Sequence, residues 1–231
     1  MNKFNKKLKI LLFVRENCKQ SQKVCDYFNS ENFEVFTYVS KKMGEKLPEE
    51  VFSLNPDFLI SFRSLFIIPQ RLIDTVNFYS INFHPGPPKY PGSGSVNLAL
   101  YNGESEFGVT AHLINEYIDN GEIIETVSFK IEDDDNVEKL LSKTHSKMYT
   151  LFANVSENLF SNPDKYIEDQ LKNKERISWN GQANKISKIN KLQKLEINIS
   201  NEELNRRLRS IHTQEYPLFI EINGYKFFIN L

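Results

Sequence analysis

The chain has 231 residues, 40% of them hydrophobic and 13% aromatic, with 18 Phe and 10 Tyr. That is enough to bury a substantial core in one main domain of about 150–200 residues with a small appendage. Its 29 basic and 30 acidic side chains nearly cancel, which argues against an overall nucleic-acid footprint, and Cys18 and Cys25 lack the spacing of a metal or redox pair.

Both cysteines therefore read as reduced thiols, one of them on the core face of a helix. The opening MNKFNKKLKILLFV sets basic residues before an apolar run of about seven, without a small-residue cleavage site, so it reads as a first strand and not a signal peptide. No stretch approaches the roughly 18 apolar residues of a membrane span, and the expected location is the cytoplasm.

Residues 8–14 are predicted as a buried strand, followed by an amphipathic helix near 20–29 with Val24, Tyr27 and Phe28 on one side. A second strand is expected at 34–39, a short helix at 48–54, a third strand at 57–61, a short helix opened by Pro69 at 69–74, and a fourth strand at 78–83. Strands alternating with helices at this spacing predict an α/β fold with a mostly parallel sheet flanked by helices. Neither a G-x-G-x-x-G nor a P-loop sequence occurs, which leaves no support for a dinucleotide or P-loop site.

A helix is expected at 95–101, closed by Asn102-Gly103, and then two long strands at 107–115 and 122–131. Their connection is short and ends in Asn120-Gly121, so the pair reads as antiparallel. Residues 135–138 resemble a capping box that opens a long helix to about Leu159. From Asp164 the composition turns polar and rich in Lys and Asn, so the predicted units are 1–163 and a small C-terminal region, 164–231. There a second capping box at 200–203 opens a helix to about Ile211, and 219–229, with Asn223-Gly224 at the turn, predicts a β-hairpin. A lone hairpin is marginal in water, so it is expected to dock on the main domain or on a second copy.

The stretch INFHPGPPKYPGSG, 81–94, is the one the chain is organised around. On a strand, Asn82 and His84 project from one face. His84 precedes a proline, and the loop after it holds four prolines and three glycines, so it has little freedom to lose and can approach a ligand closely. Asp119 lies in the later tight connection; loops at carboxyl ends of strands gather at one edge, so it reaches His84 if its strand neighbours that of Asn82. Each residue has a plainer alternative: Asp119 as a turn former, His84 as the cap of a strand, Asn82 as a structural amide. The residues alone indicate an α/β enzyme of unassigned reaction.

Ser80-Ile81-Asn82-Phe83-His84-Pro85, the loop to Gly92, Gly108-Val109-Thr110 and Ile118-Asp119-Asn120-Gly121-Glu122-Ile123-Ile124 together resemble the 10-formyltetrahydrofolate-dependent formyltransferases. N-x-H followed about 35 residues later by D-x-G-x-I-I is a compound signal far more specific than either part. The similarity runs from about Leu8 to Tyr166, with 15–53 matching only in its strand and helix pattern. Two departures stand out: Gly86-Pro87-Pro88 replaces the family's usual Ser-Leu-Leu-Pro, and Asp119-Asn120-Gly121 its common Asp-Thr-Gly. The His-Pro-Gly-Pro-Pro loop is most similar to bacterial sugar-nucleotide N-formyltransferases, which act on dTDP-linked 3- or 4-amino-dideoxyhexoses destined for O-antigen.

The resemblance implies a formyltransferase fold and formyl transfer from N10-formyltetrahydrofolate, as co-substrate, to the amine of a nucleotide-linked amino sugar. Such transfer passes through an oxyanion-bearing tetrahedral species. Asn82 would donate to that oxygen; His84 would act as base or share the oxyanion; Asp119 would orient His84 and relay a proton. The amine is the nucleophile, so no Ser or Cys nucleophile and no metal is required. Folate would lie against Phe62, Arg63, Leu65 and Ile67 and against Tyr117 and Ile118, although periodicity alone reads Phe62, Leu65 and Ile67 equally well as core residues. Gly86, Pro87, Lys89 and Tyr90 would meet the acceptor, with Ser93 and Asn97 weaker candidates; Lys89 reads equally well as an ordinary solvated loop residue. His112, alternating along its strand, could face the site but reads first as structural; His145 and His212 read as surface or packing residues, and Trp179 as an anchor for the C-terminal segment or a stacking partner for a base. The expected assembly is a homodimer without nucleic acid or membrane. The competing readings are a methionyl-tRNA or glycinamide ribonucleotide formyltransferase and a non-catalytic folate- or nucleotide-binding module; tRNA would call for a larger basic C-terminal domain.

Overall fold

The structure is a computed structural model that describes residues 6–29, 32–172 and 177–230. Six strands form the main sheet: β1 (Leu8–Arg15), β2 (Phe33–Ser40), β3 (Phe58–Phe62), β4 (Tyr79–His84), β5 (Glu106–Leu113) and β6 (Ile123–Lys130), in the order β2-β1-β3-β4-β5-β6. The first four are parallel, and β5 runs antiparallel to both its neighbours. The mostly parallel α/β architecture expected from the alternation of elements is therefore present.

Alternate residues of the central strands go to opposite faces. Ile10, Leu12, Ile60, Phe62, Ile81 and Phe83 join Val24 and Phe28 of α1 (Lys19–Phe28) and Phe152 of the long helix α4 (Val137–Leu159) in the largest core. Phe152 meets Tyr27, Phe28, Phe62 and Phe83 edge-on at centroid separations of 5.2–5.9 Å, each pair adding about 0.5–1.5 kcal/mol to the burial of its area. On the other face Leu11, Phe13 and Leu59 pack under a 3-10 turn (Glu49–Ser53) and α2 (Gln70–Ile73). The helix expected at 48–54 is thus a single tight turn.

Two helix starts differ from expectation. Pro69 is the N-cap of α2 and precedes its first turn, and the N-cap of α4 is Asn136, which accepts from Lys139 N at 3.0 Å, so the residues at 135–138 do not form a capping box. The main core also receives residues from beyond position 163. A further helix, α5 (Pro163–Lys172), starts at the proline and buries Ile167 in the main core, because its apolar face completes the cover over the end of α4.

The rest of the C-terminal region carries α6 (Ser187–Gln193), a two-residue strand β7 (Lys194–Leu195), α7 (Asn201–Ser210), β8 (Phe219–Ile222) and β9 (Tyr225–Phe228). Ser200 caps α7 through Glu203 N at 3.2 Å, and Asn223-Gly224 turns the hairpin in left-handed conformations, both as expected. The hairpin is not alone: β7 adds a parallel edge, and Ile189, Leu195, Ile211 and Leu218 close a small core beneath it. This unit docks on α3 (Ser95–Tyr101). Asn97 Nδ2 donates to Ser210 O at 2.8 Å, which makes Asn97 a packing residue and not a ligand contact.

Candidate active site

β4 delivers Asn82 and His84 to the face opposite α4, and the antiparallel register pairs Asn82 with His112 and His84 with Thr110, so all four side chains share that face. The antiparallel step has a cost in reach. Leu113 lies level with Ile81, below His84 on the sheet, so the connection after β5 must climb back over the face to bring Asp119 to the imidazole. Two local features allow it. Asp119 itself adopts φ 44°, a left-handed conformation that Asp tolerates better than most residues. Gly121 passes so close to β5 that a Cβ there would fall 1.7 Å from the Leu113 carbonyl oxygen.

The result is a carboxylate with four partners. Asp119 Oδ2 accepts from His84 Nδ1 at 3.0 Å and from Gly92 N at 2.7 Å. Its Oδ1 accepts from Asn82 Nδ2 at 3.3 Å and stands 3.3 Å from His112 Nε2. His84 and Asp119 are 3% and 9% exposed, so these contacts act at low dielectric. Burial pushes the Asp119 carboxyl up, but the His84 imidazole against it outweighs this and holds it well below the ordinary carboxylate range. Burial likewise opposes a charge on His84; the Asp119 carboxylate and the Tyr90 carbonyl, which takes Nε2 at 3.0 Å, outweigh it and raise its pKa. Both ring nitrogens of His84 thus face acceptors, a carboxylate and a carbonyl, and this setting favours the doubly protonated ring.

Asn82 spends both amide protons inside the cluster, one on Asp119 Oδ1 and one on His112 Nε2 at 3.0 Å, while His112 Nδ1 donates to the Leu113 carbonyl at 2.8 Å. Trp179 lies over the group. Its ring edge meets His84 and His112 at centroid distances of 5.6 and 4.9 Å, and its indole N–H donates to Gly121 O at 2.8 Å. The segment carrying it is laced to the proline loop by Asn180 N to Pro88 O, Ser93 N to Asn184 O and Asn184 N to Pro91 O. Trp179 is therefore the anchor expected for the C-terminal segment, and it seats that segment on the site itself.

The remaining candidates divide. Phe62 is fully buried between Phe83 and Phe152, because it points to the α4 face, and has no surface to offer folate. Leu65 is half-buried, and Arg63, at φ 57°, turns its guanidinium to Cys18 Sγ at 3.0 Å. Cys18 caps α1 and Cys25 packs at the edge of the main core, both as free thiols. Ile67, Tyr117 and Ile118 are 57%, 63% and 54% exposed, large apolar side chains left open on the loops after β3 and β5. Gly86 is demanded by close approach: a Cβ there would lie 2.6 Å from His84 Nε2. Pro87 lies beside Gly108, Ser93 is tied to Asn184 through its backbone, and Lys89 and Tyr90 turn their tips to Glu104 at 2.7 and 2.6 Å, away from the imidazole. Of the other histidines, His145 keeps a buried Nε2 without a partner among the described residues, and His212 Nδ1 accepts from Leu218 N at 3.3 Å. His112 and Ser95, whose hydroxyl donates to the Tyr90 carbonyl at 3.0 Å, complete the setting. For His112 the signal was its place in the alternation of β5; Ser95 carried none.

An amide and two imidazoles on β4 and β5, gathered around a buried carboxylate from the loop that follows, make an acid–base site on an open α/β sheet. Residues 9–155 match the family described as Formyl transferase, and the chain belongs to that family. Among curated relatives, the methionyl-tRNA formyltransferase of Hydrogenobaculum sp. (strain Y04AAS1) is 37% identical over 102 residues, 44% of this chain and 34% of that protein. The chain spans 34–58% of the length of such curated relatives. Among solved structures, a 4-N formyltransferase from Francisella tularensis aligns over 97% of both chains with a TM-score of 0.76 at 20% identity. The N-formyltransferase from Helicobacter canadensis, solved with folinic acid and dTDP-3-aminofucose, aligns over 94% of this chain and 85% of its own, with a TM-score of 0.69 at 21% identity. These likenesses establish the formyltransferase fold.

Proposed function

We propose that the chain is an N-formyltransferase that moves the formyl group of N10-formyltetrahydrofolate onto the amine of a nucleotide-linked amino-dideoxy sugar, with dTDP-4-amino-4,6-dideoxyglucose as the acceptor to test first and O-antigen synthesis in the cytoplasm as its setting. The observation that carries the reading is the buried His84–Asp119 pair with Asn82 beside it, inside the stretch that matches the family. The sugar acceptor is supported by the likeness, over 94% of this chain and 85% of its own, to the Helicobacter canadensis N-formyltransferase solved with dTDP-3-aminofucose. Ile67, Tyr117 and Ile118 fit the donor, since a flat pterin needs open apolar walls near the carboxylate loop.

Bound folate supplies an activated formyl carbonyl. His84, charged and with no free lone pair, then serves as donor to the carbonyl oxygen as it gains charge, by exchanging the Tyr90 carbonyl for it; this favours oxyanion donor over base. Asn82 positions Asp119 and, by releasing one N–H, adds a second donor. Asp119 balances the imidazolium and orients the water through which the amine proton passes to the departing folate nitrogen as its bond to the formyl carbon breaks. The catalytic unit extends through α5, and the C-terminal unit holds Trp179 over it. Mixing the protein with 10-formyltetrahydrofolate and a panel of dTDP-amino sugars is expected to give turnover, followed by folate absorbance. Folate binding without turnover on any amino sugar would leave a non-catalytic module, and formylation of methionyl-tRNA would replace the acceptor.

The exposed hairpin face, with Tyr225, Phe227 and Phe228 at 73%, 58% and 60% exposure, supports a homodimer formed through β9. Light scattering at micromolar concentration should return twice the chain mass, and a monomer refutes the assembly. No helix among the described residues is long and apolar enough to cross a membrane.

A further inference from the structure

Beside the catalytic loop lies a cleft of about 640 Å³, walled by the loop itself, the end of α3, the Trp179 segment and α6. Three lysines face it, Lys89, Lys188 and Lys191, together with Tyr101 and the amides of Asn180 and Gln182, and no carboxylate is among its lining residues. Two acids bonded to its lining residues are already matched. Glu104 holds Lys89 and the Tyr90 hydroxyl, and Glu203 holds Arg207 and the Tyr101 hydroxyl. Lys188 has used one of its three protons, on Asn184 Oδ1 at 2.7 Å, and Lys191 has no hydrogen-bond or ion-pair partner among the described residues. Lys188 and Lys191 stand one helical turn apart on the wall of the cleft and leave ammonium protons free to meet an anion there.

Tyr90 joins this cleft to the chemistry: its ring lines the wall while its carbonyl takes His84 Nε2 at 3.0 Å. We propose that the cleft binds the diphosphate of a nucleoside diphosphate, with Lys188 and Lys191 on the phosphate oxygens and the amides of Asn180 and Gln182 at its side. This inference rests on the reading of the acceptor as a nucleotide-linked sugar, and gives that acceptor its anchoring point on this chain. Lys89, already paired with Glu104, shapes the mouth and carries less of the binding.

The test is calorimetric titration of dTDP, and separately of inorganic pyrophosphate, into the wild-type chain, a Lys188→Ala/Lys191→Ala variant and a Lys172→Ala control on α5. All three lysines are exposed, and matching thermal melts check that folding is unchanged. The double variant is expected to bind dTDP at least about tenfold more weakly, and the control to bind it as the wild type does. In the transfer assay the double variant should raise KM for the sugar nucleotide with kcat little changed. Equal dTDP affinity in the double variant overturns the cleft assignment, and if the wild type still formylates a sugar nucleotide the broader reading survives. Loss of pyrophosphate binding in the double variant, with no transfer by the wild type to any sugar nucleotide, upholds the diphosphate site and overturns the broader reading instead. A wild type that binds neither probe overturns the site.

Discussion

Asp119→Asn is expected to lower kcat by about 10²–10⁴-fold while leaving a folded protein. The substitution keeps the shape of the side chain but removes the charge that holds His84 protonated. The loss of stability should stay near 1–3 kcal/mol, because an imidazole stripped of its counter-charge can shed its proton, which a guanidinium could not do. Trp179, the single tryptophan, lies edge-on to His84 and reports that proton, since an imidazolium quenches indole emission. In the wild type, emission should rise as pH climbs through the raised His84 value; in Asp119→Asn the step should move to lower pH. An unmoved step, or near-wild-type turnover, refutes the assignment.

The same pair sets how stability follows pH. Asp119, held below its ordinary value, stabilises the fold above the unfolded carboxyl pKa of about 3.9, and that contribution fades as pH falls through the lower folded value. His84, raised, stabilises fully below its unfolded value of about 6.5 and loses this as pH rises through its folded value. His145 works in the opposite direction. Burial first, and then Arg63 and Arg15, bring it down to about 3, so its contribution is present above the unfolded value and drains away as pH falls towards 3.

Gly121→Ala is expected to cost more than about 4 kcal/mol, or to yield a folded chain with at least a hundredfold lower kcat. The new methyl group would overlap the Leu113 carbonyl at 1.7 Å, and backbone cannot yield there cheaply. That carbonyl also holds His112 Nδ1, and the Gly121 carbonyl holds the Trp179 indole, so lifting the connection moves Asp119, His112 and Trp179 together. Asn120→Ala, one residue away at an exposed position, is the comparison and should fall within about 0.5 kcal/mol of wild type. A Gly121→Ala chain that melts within about 1 kcal/mol of wild type, with full activity, would show that the tight passage is not needed.

Much of this was legible because it is written locally. The period-2 pattern of 79–84 sets Asn82 and His84 on one face. Asn223-Gly224 turns the hairpin, and Ser200 opens α7. Each follows from the conformational preferences of a few neighbouring residues. Local pattern failed where partners lie far off in sequence. Phe62 alternates correctly, but only the position of α4 says which of its two faces is core. The helix α5 was hidden by a polar composition whose single apolar stripe has meaning only against the end of α4.

The sequence by itself determined the strands, the stiff proline loop and the three residue types the chemistry needs. Only the tertiary structure decided their charges and reach. The antiparallel turn of β5 lowers the connection on the sheet, and the left-handed Asp119 and the bare Gly121 bring it back. Set beside the Gly92 amide and the Tyr90 carbonyl, under Trp179, His84 and Asp119 favour each other's charge against the cost of burial. A protonation state is a property of surroundings assembled from segments far apart in the chain, and no local pattern of residues contains it.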